Sequence, residues 1–136
     1  MLNKLIPSLN TSVKVASFLI AGTLFSATAH AGAHCKNVYV SALNKTGAAI
    51  KIVDMDYYDP AYSKWRSEPT KNQIIPAGRN WQETRRLERV NAKNTYVRIE
   101  YRKPKTKGIG KWSKIYTAYS ARKTCHKGSN FQIILR

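Results

Sequence analysis

Apolar and polar residues alternate along much of the chain after position 35, and a period of two is typical of β-strands with one buried face. The clearest example is residues 95–102 (TYVRIEYR), and no segment shows a sustained helical period. The two predicted faces of this strand are Val97, Ile99 and Tyr101 on one side, and Tyr96, Arg98, Glu100 and Arg102 on the other. Further strands are predicted over 36–43, 48–57, 72–75, 80–90, 112–119 and 130–135.

The alternation changes phase inside the predicted strand at 48–57. Ile50 and Ile52 share a face, whereas Val53 and Met55 fall on the other. Either both faces of this strand are covered, or a β-bulge near Val53 shifts the alternation by one residue.

Residues 80–90 fit two structures. The spacing of Trp81, Leu87 and Val90 is weakly helical, but the polar residues at 80, 82 and 84 alternate as in a strand. We expect a strand, with a helical turn as the alternative.

Turn residues separate these segments, as in Asn44-Lys45-Thr46-Gly47 and Pro76-Ala77-Gly78. Residues 59–69 are predicted to be a loop that holds Tyr62 and Trp65. Seven short segments at near-regular spacing favour an all-β protein. We expect a single small antiparallel β-sandwich of about seven strands, with a small barrel as the alternative architecture.

The first 31 residues have the pattern of a cleaved signal peptide. Lys4 and Lys14 make its first part positive, residues 15–25 are apolar, and Ala29-His30-Ala31 is a small-x-small cleavage signal. This apolar run of 11 residues is too short to span a bilayer, which takes about 20 residues. We therefore expect an exported domain at 32–136, periplasmic or secreted, with no transmembrane segment.

Charge changes the picture more than any other property of the composition. The chain carries 24 Lys and Arg against 7 Asp and Glu. Removal of the leader leaves 22 against 7, a net charge of +15 on the exported domain. A small domain with this excess attracts anionic partners.

A cationic surface that bears aromatic rings is therefore the predicted binding site. On the strand at 95–102, the face with the arginines also carries a tyrosine, and a basic loop follows at once. Cations contact phosphate or carboxylate groups, and rings stack on sugars or bases. The alternatives are a solvated exterior for the cations and end-packing for the loop aromatics. The predicted residues are Arg98, Arg102, Lys103, Lys105, Lys107, Lys111, Tyr62, Trp65 and Tyr96.

Two cysteines, Cys35 and Cys125, are predicted to form a disulfide, as is usual in an oxidising compartment. Closing a loop of this length stabilises the fold by about 4.5 kcal/mol in the chain-entropy model. A zinc site with His34 and His126 is disfavoured, because adjacent residues on an extended chain point to opposite sides. No metal and no cofactor is expected.

Three of the seven acids, Asp54, Asp56 and Asp59, lie within six residues. Asp54 and Asp56 project to the same side of an extended strand, so a hard cation such as Ca²⁺ is one interpretation. Pairing with the abundant Lys and Arg side chains is the favoured one.

The chain contains none of the common catalytic motifs, such as a nucleophile elbow, a glycine-rich phosphate loop or HExxH. We therefore expect no enzymatic activity. The alternative is a small secreted ribonuclease that combines a carboxylate base, a histidine acid and an arginine. The residues available for it are Glu83, Glu88 or Glu100 with His126 and Arg98.

The pattern Val38-Tyr39-Val40, Asn44-Lys45-Thr46-Gly47, Ile50 and Ile52 resembles the first hairpin of small secreted sandwich proteins such as aegerolysins and actinoporins. The resemblance covers residues 38–52, implies a strand–turn–strand opening and carries over no lipid-binding residue. A membrane-active toxin is accordingly a minor alternative.

The expected function is that of an exported non-catalytic binding protein with an anionic partner. That partner is an acidic protein, an envelope glycan or anionic lipid head groups; nucleic acid would bind only unspecifically. A periplasmic immunity or inhibitor protein for an acidic secreted effector is the leading alternative.

Overall fold

The computed structural model describes residues 33–105 and 110–136, which form ten β-strands and no helix. Among these residues no helix could span a membrane. The predicted signal peptide at 1–31 and the predicted site residue Lys107 lie outside the described residues. The strands are β1 Cys35–Asn44, β2 Ile50–Asp59, β3 Lys64–Glu68, β4 Ile74–Ile75, β5 Asn80–Leu87, β6 Asn94–Thr95, β7 Val97–Pro104, β8 Trp112–Tyr119, β9 Lys123–Thr124 and β10 Asn130–Leu135.

The strands form three sheets. One has the order β10-β1-β5, the second has the order β3-β2-β7-β8 with β4 also paired to β2, and β6 pairs with β9. Neighbouring strands are antiparallel except β1 and β10, which are parallel. The prediction of an all-β, antiparallel protein is thus confirmed apart from the parallel pair of β1 and β10, and the described residues form ten strands where about seven were predicted.

Alternation buries one face of β1, β7 and β10, as the sequence predicts. Val38, Val40 and Ala42 of β1 are fully buried, and so are alternate residues of β7 and β10. The buried side chains of the two larger sheets belong to one hydrophobic cluster. Burying such side chains is worth about 1.5–3 kcal/mol for each large aliphatic group, so this shared cluster holds the strands together.

The phase change in β2 is a β-bulge. The pairing of β2 with β7 shifts register between Ile52 and Asp54, and Val53 is left half-buried at the shift. Ile52 and Met55 on either side are both fully buried. The extra residue therefore restores the apolar positions to one face, and it places Asp54 and Asp56 on the opposite face.

The segment at 80–90 is a strand, β5, so the expected strand is confirmed and the helical turn is wrong. β5 pairs antiparallel with β1, and its Trp81 and Leu87 are buried. Val90, which suggested helical spacing, is buried in the turn after the strand. Pairing with β1 satisfies the backbone groups of β5 on that side, and the burial of Trp81 and Leu87 stabilises the strand over the weak helical alternative.

The predicted loop at 59–69 is confirmed for the turn at 60–63, which holds Tyr62, and is wrong for 64–68. β2 continues to Asp59 and β3 begins at Lys64, so these strands form a hairpin that includes Trp65. The sequence of β3 (KWRSE) has one apolar residue and hence no alternation. This strand forms because the backbone of β2 offers it a partner.

The predicted first hairpin is also wrong, since β1 pairs with β5 and β10 and not with β2. The turn at 44–49 instead carries the chain from one sheet to the other. The buried Asn44 amide holds this crossing, because its Nδ2 donates to the carbonyls of Ala48, Ile75 and Pro76 at 2.8, 2.9 and 3.0 Å. Its Oδ1 accepts the backbone N–H of Thr46 at 3.0 Å.

Cys35 and Cys125 form a disulfide, as predicted. It joins the start of β1 to the residue after β9, and both cysteines are fully buried. The pair therefore offers no thiolate to a metal. A structural disulfide of this kind is typical of proteins that fold in an oxidising compartment.

Candidate functional site

Four aromatic rings meet on the solvent side of the sheet that contains β2 and β7. Tyr58 of β2 lies opposite Trp65 of β3, Tyr96 precedes β7, and Tyr119 ends β8. Strand register places them on one face, because Trp65 lies opposite Tyr58, Tyr119 lies opposite Arg98, and Tyr96 is two residues before Arg98. We call Tyr58, Trp65, Tyr96 and Tyr119 the aromatic cluster.

The rings of the aromatic cluster are in mutual contact. The Trp65 and Tyr96 centroids are 4.9 Å apart at an interplanar angle of 76°, and those of Tyr58 and Tyr96 are 5.2 Å apart. Tyr119 lies 5.9 Å from Trp65 and is 54% exposed, whereas the other three rings are half-buried. Edge-to-face contacts are favourable for aromatic rings, so the cluster is a preformed surface with one ring open to solvent.

Arg98 of β7 lies over the aromatic cluster but is neutralised there. Its guanidinium carbon is 4.4 Å from the Trp65 ring centroid. Its Nε donates to Oδ2 of Asp56 at 2.6 Å, and its Nη2 is 3.8 Å from a carboxylate oxygen of Glu100. Burial, the largest single influence, lowers the pKa of Arg98. The hydrogen bond to Asp56, together with the charges of Asp56 and Glu100, outweighs burial, so the pKa of Arg98 is raised above its ordinary value. Arg98 is therefore committed to an internal ion pair.

Arg122 lies over the same cluster from the other side. Its guanidinium carbon is 4.5 Å from the Tyr96 ring centroid and 5.8 Å from that of Tyr58. Arg122 is exposed, and within the described part of the chain no acid forms an ion pair with it. This cation is available to a partner.

A second group of cations surrounds Tyr62 in the turn between β2 and β3. Lys64, Arg66 and Arg89 each lie 5.5 to 5.6 Å from its ring centroid. Arg89 also donates to the Tyr62 hydroxyl at 3.2 Å. Arg66 is committed to Asp59 at 2.6 Å, a hydrogen bond that raises the pKa of this arginine. We call these four residues the Tyr62 group.

The structure places the predicted site residues in three different places. Trp65, Tyr96 and Arg98 meet at the aromatic cluster, and Tyr62 has its own group of cations. The remaining described residues lie towards the far end of β7, from about 13 Å (Arg102) to about 23 Å (Lys105) from Arg98 at about 3.3 Å per residue. These are Arg102, Lys103, Lys105 and Lys111.

The far end of β7 is itself divided between two faces. Arg102 shares the face of Arg98 and donates to the carbonyl of Ser113 at 3.3 Å. Lys103 turns to the other face, where its ammonium lies 4.9 Å from the Tyr116 ring centroid. Lys105 and Lys111 are exposed and joined by a backbone hydrogen bond of 2.8 Å. The described residues of the predicted site therefore lie at several separate places and do not share one surface.

Three members of the site were not predicted: Tyr58, Tyr119 and Arg122. The predicted strand at 112–119 contained Tyr119, but only the pairing of β8 with β7 places Tyr119 directly opposite Arg98. Arg122 belongs to a basic run at 122–123, but no local signal placed it beside the aromatic cluster, because its position depends on the pairing of β9 with β6 and on the disulfide.

The three clustered acids do not converge. Asp54 and Asp56 lie on the outer face, whereas the fully buried Asp59 lies on the opposite one. Asp56 pairs with Arg98 and Asp59 with Arg66, both at 2.6 Å, so the interpretation as internal pairing is confirmed for these two. In residues 33–105 and 110–136 no group of three or more metal-ligating side chains occurs.

Two of the side chains considered for a ribonuclease form internal ion pairs. Glu83 pairs with Arg85, and Arg98 is held by Asp56.

No protein family model, curated protein or solved structure matches this chain.

Proposed function

We propose that this chain is an exported, non-catalytic binding protein that holds an anionic partner on the aromatic cluster. The observation that supports this most directly is Arg122, an exposed guanidinium stacked 4.5 Å from Tyr96 with no acid paired to it among the described residues. The disulfide and the signal-peptide pattern support export. The fold we propose is a β-sandwich of the two larger sheets around their shared cluster.

An acidic protein is the partner class that fits best. The same sheet face carries Asp54, Asp56 and Glu100 between its cations, so a uniform polyanion laid along it would meet repulsion. A protein surface can place a carboxylate at Arg122 and neutral groups elsewhere. Tyr, Trp and Arg are also the residues that dominate binding energy in protein interfaces. Tyr119 and Ile115 add exposed apolar surface on this face.

The experiment uses the tagged protein recovered from its own compartment at low and moderate salt, with the co-purifying species identified and its affinity measured. Arg122→Ala is compared with Arg86→Ala, which removes an equal charge from the exposed side of β5. We expect a one-to-one protein complex that survives moderate salt in the Arg86→Ala variant and is at least about tenfold weaker in Arg122→Ala.

Two results would contradict the proposal in different ways. Equal weakening by both variants, with affinity that falls steeply with salt, would indicate a glycan, lipid or nucleic-acid polyanion bound by charge alone. If both variants bind the partner as tightly as the wild type does, Arg122 is not part of the binding site.

A further inference from the structure

The strand β10 is an outer strand with an unprotected edge. The end strands of the two larger sheets are β10, β5, β3 and β8. β5, β3 and β8 each contain at least one charged residue, whereas β10 (NFQIIL) contains neither a charge nor a proline. Proteins normally protect exposed edges with such residues to prevent unwanted strand pairing. The edge of β10 lacks this protection.

The backbone of β10 is ready to accept another strand. Its parallel pairing with β1 directs the backbone groups of alternate residues towards β1, as the bond from the Tyr39 N–H to the Ser129 carbonyl shows at 2.8 Å. The N–H and C=O groups of Asn130, Gln132 and Ile134 therefore point to the open edge. Among the described residues no strand pairs with that edge, and these three residues are exposed.

A cleft lies beside this edge. It has a volume of about 390 Å³ and is lined by Ser120, Ala121, Lys123, Asn130, Phe131 and Gln132. Lys123 is its one charged lining residue, with the ammonium 4.8 Å from the Phe131 ring centroid. Arg122, the neighbouring residue, points instead to the aromatic cluster. The cleft is therefore a site separate from that cluster.

We propose that an extended acidic segment of a partner protein adds to β10 as a further strand and places a carboxylate on Lys123. Strand addition supplies affinity through backbone hydrogen bonds, and the side chains beside the strand supply selectivity. A second copy of this chain is the competing occupant of such an edge. Its own large excess of cations, 24 Lys and Arg against 7 acids, opposes that pairing and favours an acidic segment.

The test uses the full exported domain and a capped peptide of alternating valine and glutamate, with binding followed by backbone amide NMR shifts. We expect the largest shifts at Asn130, Gln132 and Ile134. N-methylation of every second peptide residue removes the donors that face β10, and it should weaken binding at least about tenfold. Lys123→Ala should weaken it about three- to fivefold, whereas Lys127→Ala, an exposed lysine outside the cleft, should not.

A protein variant makes the same test from the other side. Gln132→Pro removes one outward N–H of an edge strand, a position where proline is tolerated, and should abolish the peptide-induced shifts. If this variant does not fold, the N-methylated peptide decides the question. Arg122→Ala should leave peptide binding unchanged, so failure here is distinguishable from failure of the proposed function.

Three results would overturn the proposal. One is the absence of shifts up to about 1 mM peptide, which corresponds to no more than about 4 kcal/mol of binding free energy. Another is that a peptide of alternating valine and lysine, or the N-methylated peptide, binds as tightly as the valine–glutamate peptide. The third is a free protein that is already dimeric through β10, which would assign the edge to a second copy.

Discussion

Arg98 and Arg122 occupy matching positions at the aromatic cluster and differ in what surrounds them. Each guanidinium lies about equally close to a ring, at 4.4 Å from Trp65 and 4.5 Å from Tyr96. Arg98 is bound by the buried Asp56, whereas Arg122 has no acid paired to it among the described residues. An arginine that lies on an aromatic ring is therefore structural when a carboxylate pairs with it, and it is available to a partner when no carboxylate does.

The same difference explains how a strongly basic chain avoids a uniform surface. All seven acids lie within residues 54–100, and the outer face of the sheet contains three of them. Asp56 neutralises Arg98 on this outer face, Asp59 neutralises Arg66 on the opposite face, and Arg122 has no acid paired to it among the described residues. The position of a binding surface is therefore set by the cations that have no acidic partner, and not by the total number of cations.

The largest expected effect concerns the segment that carries Arg122. Replacing both Cys35 and Cys125 with serine should lower the free energy of unfolding by about 4.5 kcal/mol, because a long loop is no longer closed in the unfolded chain. Arg122 lies three residues before Cys125. Its contact with Tyr96 should therefore loosen before the contact of Arg98 with Trp65. Guanidinium unfolding and partner binding measure the two effects.

The wild-type protein under reducing conditions is the control for this double substitution and should behave in the same way. A loss of stability below about 1 kcal/mol, or partner binding that is unchanged, would contradict the expectation.

A smaller effect separates the two arginines directly. Arg98→Ala leaves Asp56, which is 4% exposed, without its cation and should cost about 2–3 kcal/mol of stability. Arg122→Ala removes an exposed cation and should change stability by less than about 0.5 kcal/mol. Urea unfolding of the two variants checks this, and equal losses would abolish the distinction.

Adding Asp56→Asn to Arg98→Ala is the matched control. The neutral amide needs no cation, so the double variant should recover part of the lost stability. A double variant as unstable as Arg98→Ala would show that the loss comes from packing on Trp65.

The smallest effect extends the comparison to the acids. Burial raises the pKa of Glu68 above its ordinary value of 4.5, the charge of Arg85 opposes this, and that of Glu88 adds to it. The charged carboxylate of Glu68 is thus disfavoured in the folded protein. The folded protein therefore loses stability as the pH rises from the ordinary carboxyl pKa through the raised pKa of Glu68. Glu68→Gln should therefore stabilise the protein at pH 7 by a fraction of a kcal/mol, since the group is partly screened by water.

Urea unfolding at pH 7 and at about pH 3.5 measures this gain, which should vanish below the ordinary carboxyl pKa. Glu100→Gln serves as a control, because Glu100 lies near the cation of Arg98. A gain for Glu68→Gln that is equal at both pH values would exclude a charge effect.

Much of the fold follows from local patterns. β1 and β7 were predictable because apolar and polar residues alternate over at least five positions, and β10 because its first four residues alternate. β3 was missed because its five residues contain one apolar side chain, and the bulge in β2 was one of two open choices until its pairing with β7 was known. The disulfide was predictable because the chain contains two cysteines.

The site was predictable only in part. Trp65, Tyr96 and Arg98 were found from composition and alternation, whereas Tyr58, Tyr119 and Arg122 come to the same place from three other parts of the chain. The far residues of β7 were grouped with them because a sequence places neighbours together, although a strand spreads them over about 20 Å.

The amino-acid sequence alone determined the strand faces, the covalent bridge and the excess of positive charge, because these depend on residue types and short spacings. Only the tertiary structure decided which strands pair, that β1 and β2 belong to different sheets, and that Asp56 neutralises Arg98 while Arg122 stays available. Those outcomes depend on contacts between residues distant in the chain, which local alternation does not specify.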